Sequence, residues 1–433
     1  MMKRPLLCRH PWLAAFALSA LSLACVPAWA APVGPVHELA QKEQAPLLDT
    51  LRDLVNIESG SKDSEGLARL AALIRDKLAA LGGKVELIEP TDVYRMDDTP
   101  PKPGQMVRAE FKGTGTSRIM LIAHMDTVYL RGMLKDQPFR VEGNRAYGLG
   151  VADDKQGIAT ILHTVAILQK LGFKEYGTLT VLINGDEEIS SPGARSTITR
   201  LAGDQDAVFS YEGGGNEGQL RLATSGIGAA YLTVDGKASH AGAAPERGIN
   251  ALYELAHQLL QLSDLSQPEK GLKLNWTVAQ AGTNRNVIPA QASAQADARA
   301  LRVADFDQLQ AALQERVKKQ RIGDAKVSLK FEVRRPPLEA TEASRALSAH
   351  GKTIYQELGL PMTVLDVATG GGTDAAFAAL KTKAAVIEGF GLSGYGAHSN
   401  DAEYVHLETV VPRLYLSARM IMDLSQGKVS LPR

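Results

Sequence analysis

Two helical periods open the patterned part of the chain. Between residues 36 and 56, Leu39, Leu47, Leu48, Leu51, Leu54 and Val55 gather on one side; between 64 and 81, Leu67, Leu70, Ile74, Leu78 and Leu81 repeat at helical spacing, with Ser64 placed to cap the start and Gly82-Gly83 to stop it. Short continuous apolar runs follow, each leading into ionisable residues. Residues 119–123 precede His124-Met-Asp126, 179–183 precede Asp186-Glu187-Glu188, 207–211 precede Glu212, and 384–387 precede a glycine-rich loop that carries His398. Alternating with helical segments at 158–171 and 343–358, these runs predict an α/β domain whose mixed, mostly parallel sheet is flanked by helices. Ligands of such sheets bind beyond the carboxyl ends of the strands, which is where these ionisable residues fall.

The rhythm changes between residues 223 and 336. Strands at 228–234, 272–280, 292–301 and 327–333 and helices at 248–262 and 303–319 give a β-α-β-β-α-β order, the pattern of a ferredoxin-like α+β domain. Sheet-type segments resume after Pro336-Pro337, so this unit is expected to be inserted as a lid and dimerisation domain into a catalytic domain made of residues 31–222 and 337–433. Residues 1–30 read as a signal peptide: Lys3, Arg4 and Arg9 precede an apolar run at 12–24 and the cleavage pattern Ala28-Trp29-Ala30. The run is too short to span a bilayer, and Ser22 stands where a lipoprotein signal carries an aliphatic residue, so a periplasmic or secreted, unlipidated protein is expected.

Charge and cysteine usage narrow the chemistry. Forty-eight basic and 48 acidic residues leave no net field for nucleic acid or an anionic membrane, which points to a small-molecule partner. Both cysteines, Cys8 and Cys25, fall in the leader, so a metal site in the mature chain must use His, Asp and Glu, with zinc favoured. In the turn Val151-Ala-Asp-Asp-Lys-Gln-Gly157, Asp153 and Asp154 have two readings: caps of the following helix, or metal ligands. His124-x-Asp126 is the pattern of an imidazole oriented by a carboxylate. Of two adjacent carboxylates such as Glu187-Glu188, one can ligate while its neighbour handles protons. Glu212 and His398 complete the donor set, whereas His37, His163, His257, His350 and His406 read as structural or surface residues.

The order of six stretches carries a family resemblance: His124-Met-Asp-Thr-Val128, Gly150-Val-Ala-Asp-Asp-Lys155, Asn184-Gly-Asp-Glu-Glu188, Ser239-His-Ala-Gly-Ala-Ala-Pro245, Asn286-Val-Ile-Pro289 and Gly370-Gly-Gly-Thr-Asp374. Together they resemble the co-catalytic zinc peptidase family of glutamate carboxypeptidase, aminoacylase and succinyl-diaminopimelate desuccinylase. Tyr129-Leu-x-Gly132 and the segments 138–143 and 237–246 look closest to its secreted, folate-cleaving glutamate carboxypeptidases. The resemblance implies two zinc ions per subunit, with Asp153 bridging, His124 and Glu212 completing one site, and Glu188 and His398 the other. It also implies a cis peptide after Asp153, which leaves helix capping to Asp154. Glu187 would be the general base and Asp126 the group that orients His124. His240 would stabilise the oxyanion, in its own subunit or its partner's. Arg299 would grip the substrate's α-carboxylate, with Asn286, Gly371, Gly372 and Thr373 as further donors.

The implied enzyme is a homodimeric exopeptidase that releases a C-terminal amino acid, glutamate first among the candidates, from small peptides, N-acyl amino acids or folates. Three positions depart from the glutamate-releasing pattern: Gln219 in place of lysine, Gly213 in place of proline and Ala368 in place of arginine. Arg221, Arg334 and Arg335 are the candidates to restore the lost positive charge. Two rivals stand beside this reading: an N-acyl amino-acid amidohydrolase or dipeptidase with the same metals, and a periplasmic binding protein without activity. The second requires a missing ligand or base, and all are present.

Overall fold

The computed structural model describes residues 31–215, 218–399 and 402–432; the leader expected at 1–30 lies outside them. Helices α1 (Gly34–Val55) and α2 (Ser64–Ala80) lead into β1 (Lys84–Ile88), β2 (Met106–Lys112) and β3 (Arg118–His124). The hairpin β4 (Arg140–Glu142) and β5 (Arg145–Tyr147) precedes α3 (Gln156–Lys170), followed by β6 (Thr178–Asn184), α4 (Arg195–Ala202), β7 (Ala207–Ser210) and β8 (Gln219–Arg221). Next come β9 (Gly226–Asp235), α5 (Ala251–Leu262), β10 (Lys273–Ala281), β11 (Gln291–Ala300), α6 (Val303–Arg316) and β12 (Lys326–Arg335). The chain closes with α7 (Glu342–Glu357), β13 (Thr363–Leu365), α8 (Ala375–Ala379), β14 (Ala385–Ile387), β15 (Gly394–Tyr395), β16 (Tyr404–His406) and α9 (Val410–Ser425).

The main sheet has the order β1-β2-β6-β3-β7-β14. β6, β3, β7 and β14 run parallel, while β1 and β2 add an antiparallel edge. Because side chains alternate across a strand, β3 feeds both faces. Ile119, Leu121 and Ala123 join the cluster built with α1, α2, α3 and α9, whereas Met120 and Ile122 join α4 and α8 on the other side. Burial on both faces explains the unbroken apolar runs.

The second large sheet, β10-β11-β9-β12, is antiparallel throughout and has the ferredoxin-like strand order. Its core is its own. Ala292, Ala294, Ala296, Ala298 and Ala300 of β11 face Leu255 and Leu262 of α5 and Phe306, Leu309 and Leu313 of α6. The alternate residues, including Asp297 and Arg299, therefore lie on the face away from the helices.

Two local expectations are corrected. Asp63, not Ser64, caps α2, accepting from Gly66 N at 2.9 Å. Asp154 does not cap α3: its carboxylate accepts from Gln156 Nε2 at 2.8 Å and from His124 N at 3.3 Å.

Candidate active site

Three neighbouring parallel strands deliver most of the candidate residues side by side. His124 closes β3, Glu187 and Glu188 follow β6, and Glu212 lies two residues beyond β7. The turn at 151–155 places Asp153 between two imidazoles, with a cis peptide joining it to Asp154. Asp153 Oδ1 is 3.0 Å from His124 Nε2, and Asp153 Oδ2 is 3.3 Å from His398 Nε2. Glu212 Oε1 lies 3.3 Å from His124 Nε2, and Glu188 Oε2 lies 3.1 Å from His398 Nε2. Two donor groups result, His124-Asp153-Glu212 and Asp153-Glu188-His398, each with its ligand atoms within 4.8 Å of one another and with Asp153 shared.

The donor chemistry fits divalent cations. Every donor is a carboxylate or an imidazole, the Glu188 Oε1 atom is buried without a hydrogen-bond partner, and one aspartate turns a different oxygen to each group. Burial opposes protonation of His124, but Glu212, Asp126 and Asp153 outweigh it and hold its pKa well above the usual imidazole range. Hydrogen bonds to Asp153 and Glu188 push His398 up to about 11. Binding a metal here would displace those protons, because a ligating imidazole must be neutral.

Surrounding groups fix the geometry. Asp126 holds His124 Nδ1 through its main-chain carbonyl at 3.0 Å, with carboxylate Oδ1 at 3.4 Å. The same carboxylate accepts from Glu187 N at 2.9 Å, Glu188 N at 3.1 Å and Ser61 Oγ at 2.7 Å, so Asp126 orients both the histidine and the two-glutamate turn. Glu403, which sequence reasoning missed, accepts from three main-chain N–H groups of the Asp153 turn: Gly150 at 3.0 Å, Ala152 at 2.8 Å and Asp153 at 3.1 Å. It also accepts from Tyr129 Oη. Glu403 lies 250 residues downstream of the turn it serves, and no local pattern marks it.

Glu187 is buried, and burial pushes its carboxyl well above the usual range, an effect the Arg335 guanidinium partly offsets. Arg335 Nη1 donates to Glu187 Oε1, and Nη2 donates to the Glu187 carbonyl at 2.6 Å. The expected role of Arg335 as a spare cation for substrate is therefore corrected, since its charge is taken up by Glu187. Arg334 is likewise engaged by Asp98 at 2.7 and 2.8 Å, and Arg221 Nη1 donates to Gly213 O at 3.0 Å.

Of the residues expected to meet substrate, Arg299 lies on β11, His240 and Asn286 lie in the loops after β9 and β10, and Gly371, Gly372 and Thr373 lie in the loop before α8. Arg299 is held bidentately by Asp297, at 2.9 and 3.1 Å, while its Nη1 reaches Gly370 O at 3.3 Å. Gly371 O accepts from Ser225 N, Gly372 O from Arg335 Nη1, and Thr373 Oγ1 donates to Glu388 at 2.8 Å. His240 is exposed, and its Nδ1 accepts from Gly242 N at 3.1 Å and Ala243 N at 3.0 Å. A neutral His240 must then carry its proton on Nε2, which faces outward as a donor. Asn286 is exposed beside it and receives Ala241 N on its carbonyl at 2.9 Å. The five histidines read as structural or surface residues all have partners: His163 with Glu43 and Thr50, His257 with Lys319 O, His350 with Asp423, His37 against the Tyr415 ring and His406 against the Tyr404 ring.

The chain is similar in sequence and in fold to known proteins. The model of peptidase family M20/M25/M40 matches residues 120–423. Carboxypeptidase G2 of Pseudomonas sp. (strain RS-16) is 43% identical over 395 residues, covering 91% of this chain and 92% of that protein. Two solved structures share the fold: aminopeptidase PepT from Bacillus cereus, at 21% identity and TM-score 0.71 over 88% of this chain and 98% of that one, and the M20 family metallo-carboxypeptidase Sso-CP2 from Sulfolobus solfataricus, at 16% identity and TM-score 0.69 over 87% and 98%.

Proposed function

This chain belongs to peptidase family M20/M25/M40, and from that premise we propose that it is a di-zinc exopeptidase hydrolysing the amide bond to a C-terminal amino acid, glutamate in the first instance. The observation that carries the reading is the pair of donor groups sharing Asp153, with Glu187 beside them on the same turn as Glu188. His124 and Glu212 would hold one ion and Glu188 and His398 the other. Bound divalent cations at such a site polarise the scissile carbonyl and acidify water.

The chain's own residues supply the rest. Glu187 takes the proton from the attacking water as the oxygen bonds to the carbonyl carbon, and the same proton passes to the leaving nitrogen as the C–N bond breaks. The products are a carboxylic acid and a free amino acid. Asp126 fixes the turn from which Glu187 acts. His240 offers its Nε2–H to the developing oxyanion, in its own subunit or across a homodimer. Arg299 turns its Nη1 edge toward the 370–373 loop, where Gly371, Gly372, Thr373 and, from the His240 loop, Asn286 would help seat the substrate's carboxylate. Residues 223–336 act in this reading as an inserted lid and dimerisation domain between catalytic segments 31–222 and 337–433. Export to the periplasm after removal of residues 1–30 belongs to the same proposal; among the described residues no helix is long and apolar enough to cross a membrane.

A second reading, a broader N-acyl amino-acid amidohydrolase or dipeptidase, is favoured by one observation: Arg334 and Arg335 are consumed within the protein and Gln219 replaces a cation. A panel of folates and N-blocked dipeptides, assayed with and without chelator, tests both. Chelator-sensitive release of glutamate supports the first reading, and preferential release of apolar residues supports the second. Turnover unaffected by metal removal overturns both.

A further inference from the structure

A groove of about 960 Å³ opens where α4 and α8 meet the start of α6 and the end of β12. Its apolar lining has two sources. Val303 and Val333 belong to the unit of the second sheet, whereas Tyr94, Phe377 and Leu380 belong to the segments around the first. Tyr94, Val303 and Leu380 are 41%, 41% and 47% exposed, so this lining is open to a ligand. Four cations share the groove, Arg95, Arg195, Arg200 and Lys381, and Asp92 is the single acid in its lining. Among the described residues none of the four forms an ion pair; Arg95 donates to the Pro100 and Pro101 carbonyls, at 2.8 and 3.0 Å. Arg334, by contrast, is paired with Asp98. One unpaired surface cation is ordinary, but four around one apolar groove set up a field that attracts an anion.

Arg195 is the fixed part of the site. Its guanidinium lies over the Tyr94 ring at 4.2 Å and over the Phe377 ring at 4.9 Å. Nη2 donates to Ser190 O at 2.6 Å and to Arg334 O at 2.8 Å, and Nε donates to Ser191 O at 3.3 Å. Nη1 takes no part in these bonds. Carbonyl oxygens satisfy donors without cancelling the charge, and burial pushes the Arg195 pKa down to about 10, as befits a cation without a counter-ion. Held by two rings and three hydrogen bonds, the side chain has little rotamer freedom left to lose when a ligand meets it.

We propose that this groove is a second binding site, for a small amphiphilic organic anion. The acidic head meets the Arg195 guanidinium, with Arg200 and Lys381 supplying further charge, and the apolar body lies against Tyr94, Val303, Val333 and Leu380. The volume is in the range that encloses a drug-sized ligand. A bare inorganic anion would leave the apolar lining to water, and a neutral apolar molecule would leave the cations unmatched. The site is separate from the candidate metal centre, because none of His124, Asp153, Glu188, Glu212 and His398 lines it. It is nonetheless mechanically joined to it: Arg195 ties β12, through Arg334 O, to the turn that follows Glu188, through Ser190 O. Because the lining comes from both units, an occupant braces one against the other.

Calorimetric titration of the full chain with 2-naphthalenesulfonate, a flat monoanion whose sulfonate is a weak metal ligand, tests the assignment beside the neutral 2-naphthalenemethanol. The anion should bind about tenfold more tightly than the alcohol, the scale of a hydrogen bond to a charged group. The double variant Arg200→Glu with Lys381→Glu, and separately Leu380→Asp, should each weaken the anion about tenfold. All three residues are exposed, so the fold tolerates these changes. The thermal midpoint should rise with the anion's concentration in the parent and much less in the variants. Parental affinity in both groove variants overturns the site, since the anion then binds elsewhere. Equal affinity for the alcohol, or no saturable binding of the anion to the parent, overturns it as well.

Discussion

Arg335 closes on Glu187 at two points, its Nη1 on the carboxylate and its Nη2 on the main-chain carbonyl at 2.6 Å, and both residues are buried. The arginine is the last residue of β12, where the second sheet hands the chain back toward the first through Pro336-Pro337. The proposed base is thus positioned from the last strand of the second sheet, not only by its own turn. A buried carboxylate that loses its cation is left uncompensated, which is costly in a low-dielectric site.

Arg335→Met is expected to lower kcat by about 100-fold, the scale of a one-ångström misplacement of a reacting group, with KM changed much less. Arg335→Lys should recover part of the loss, because a point charge replaces one of the two contacts. A merely structural role would show as lost folded protein instead, so circular dichroism and metal content are measured alongside. Unchanged kcat in folded Arg335→Met removes the positioning role.

Glu187→Gln keeps the side chain's shape and its carbonyl oxygen for Arg335 but removes the proton acceptor. Turnover should fall by about 10²–10⁴-fold, the usual contribution of a general base, while bound metal, counted by mass spectrometry of the native protein or by atomic absorption, stays at the parental level. Near-parental turnover would remove Glu187 from the mechanism.

Much of this arrangement is legible in the sequence because local periodicity and chain order carry it. The runs before His124, Glu187 and Glu212 announce buried parallel strands, and parallel neighbours necessarily bring their carboxyl ends together. The β-α-β-β-α-β order announces the second sheet. Less legible is what depends on distant partners. In α9, Arg413, Arg419 and Asp423 are all buried, a placement that charged residues do not announce by themselves. The small sheet β15-β16-β5-β4 joins segments about 250 residues apart through strands of two or three residues. Asp154, placed like a helix cap, is drawn instead to His124 N and Gln156, and Glu403 satisfies the turn's N–H groups in its stead. A pattern shows that a turn needs acceptors but not which residue supplies them.

Glu403 yields a prediction of its own. Its two oxygens accept from Gly150, Ala152 and Asp153 N–H and from Tyr129 Oη, so Glu403→Gln would set an amide donor against at least one donor already there. Loss of a group that orients a ligand costs about 10–100-fold in metal affinity. Competition with a chromogenic chelator should show that weakening in Glu403→Gln. Parental affinity would mean the turn holds its shape without the glutamate.

Asp423, far from the candidate site, makes stability depend on pH. Burial opposes its ionisation, but hydrogen bonds from His350 and Lys428, at 2.9 Å each, and the Arg419 guanidinium at 3.0 Å outweigh it and hold its pKa well below the usual carboxylate range. A carboxylate depressed on folding contributes stability above its unfolded pKa of about 3.9, and that contribution is lost as pH falls toward the folded value. Asp423→Asn should therefore cost about 2 kcal/mol at pH 7, the scale of hydrogen bonds to a charged group, since Arg419 keeps Glu357 and Lys428 is half exposed. The gap between parent and variant should hold down to about pH 5 and narrow below about pH 4, as Asp423 of the unfolded parent takes up a proton while the folded carboxylate stays ionised. Urea unfolding midpoints across that range decide it. A gap that stays constant to pH 3 would assign the cost to lost packing, because a carboxylate that titrates alike in the folded and unfolded chains adds no pH-dependent stability.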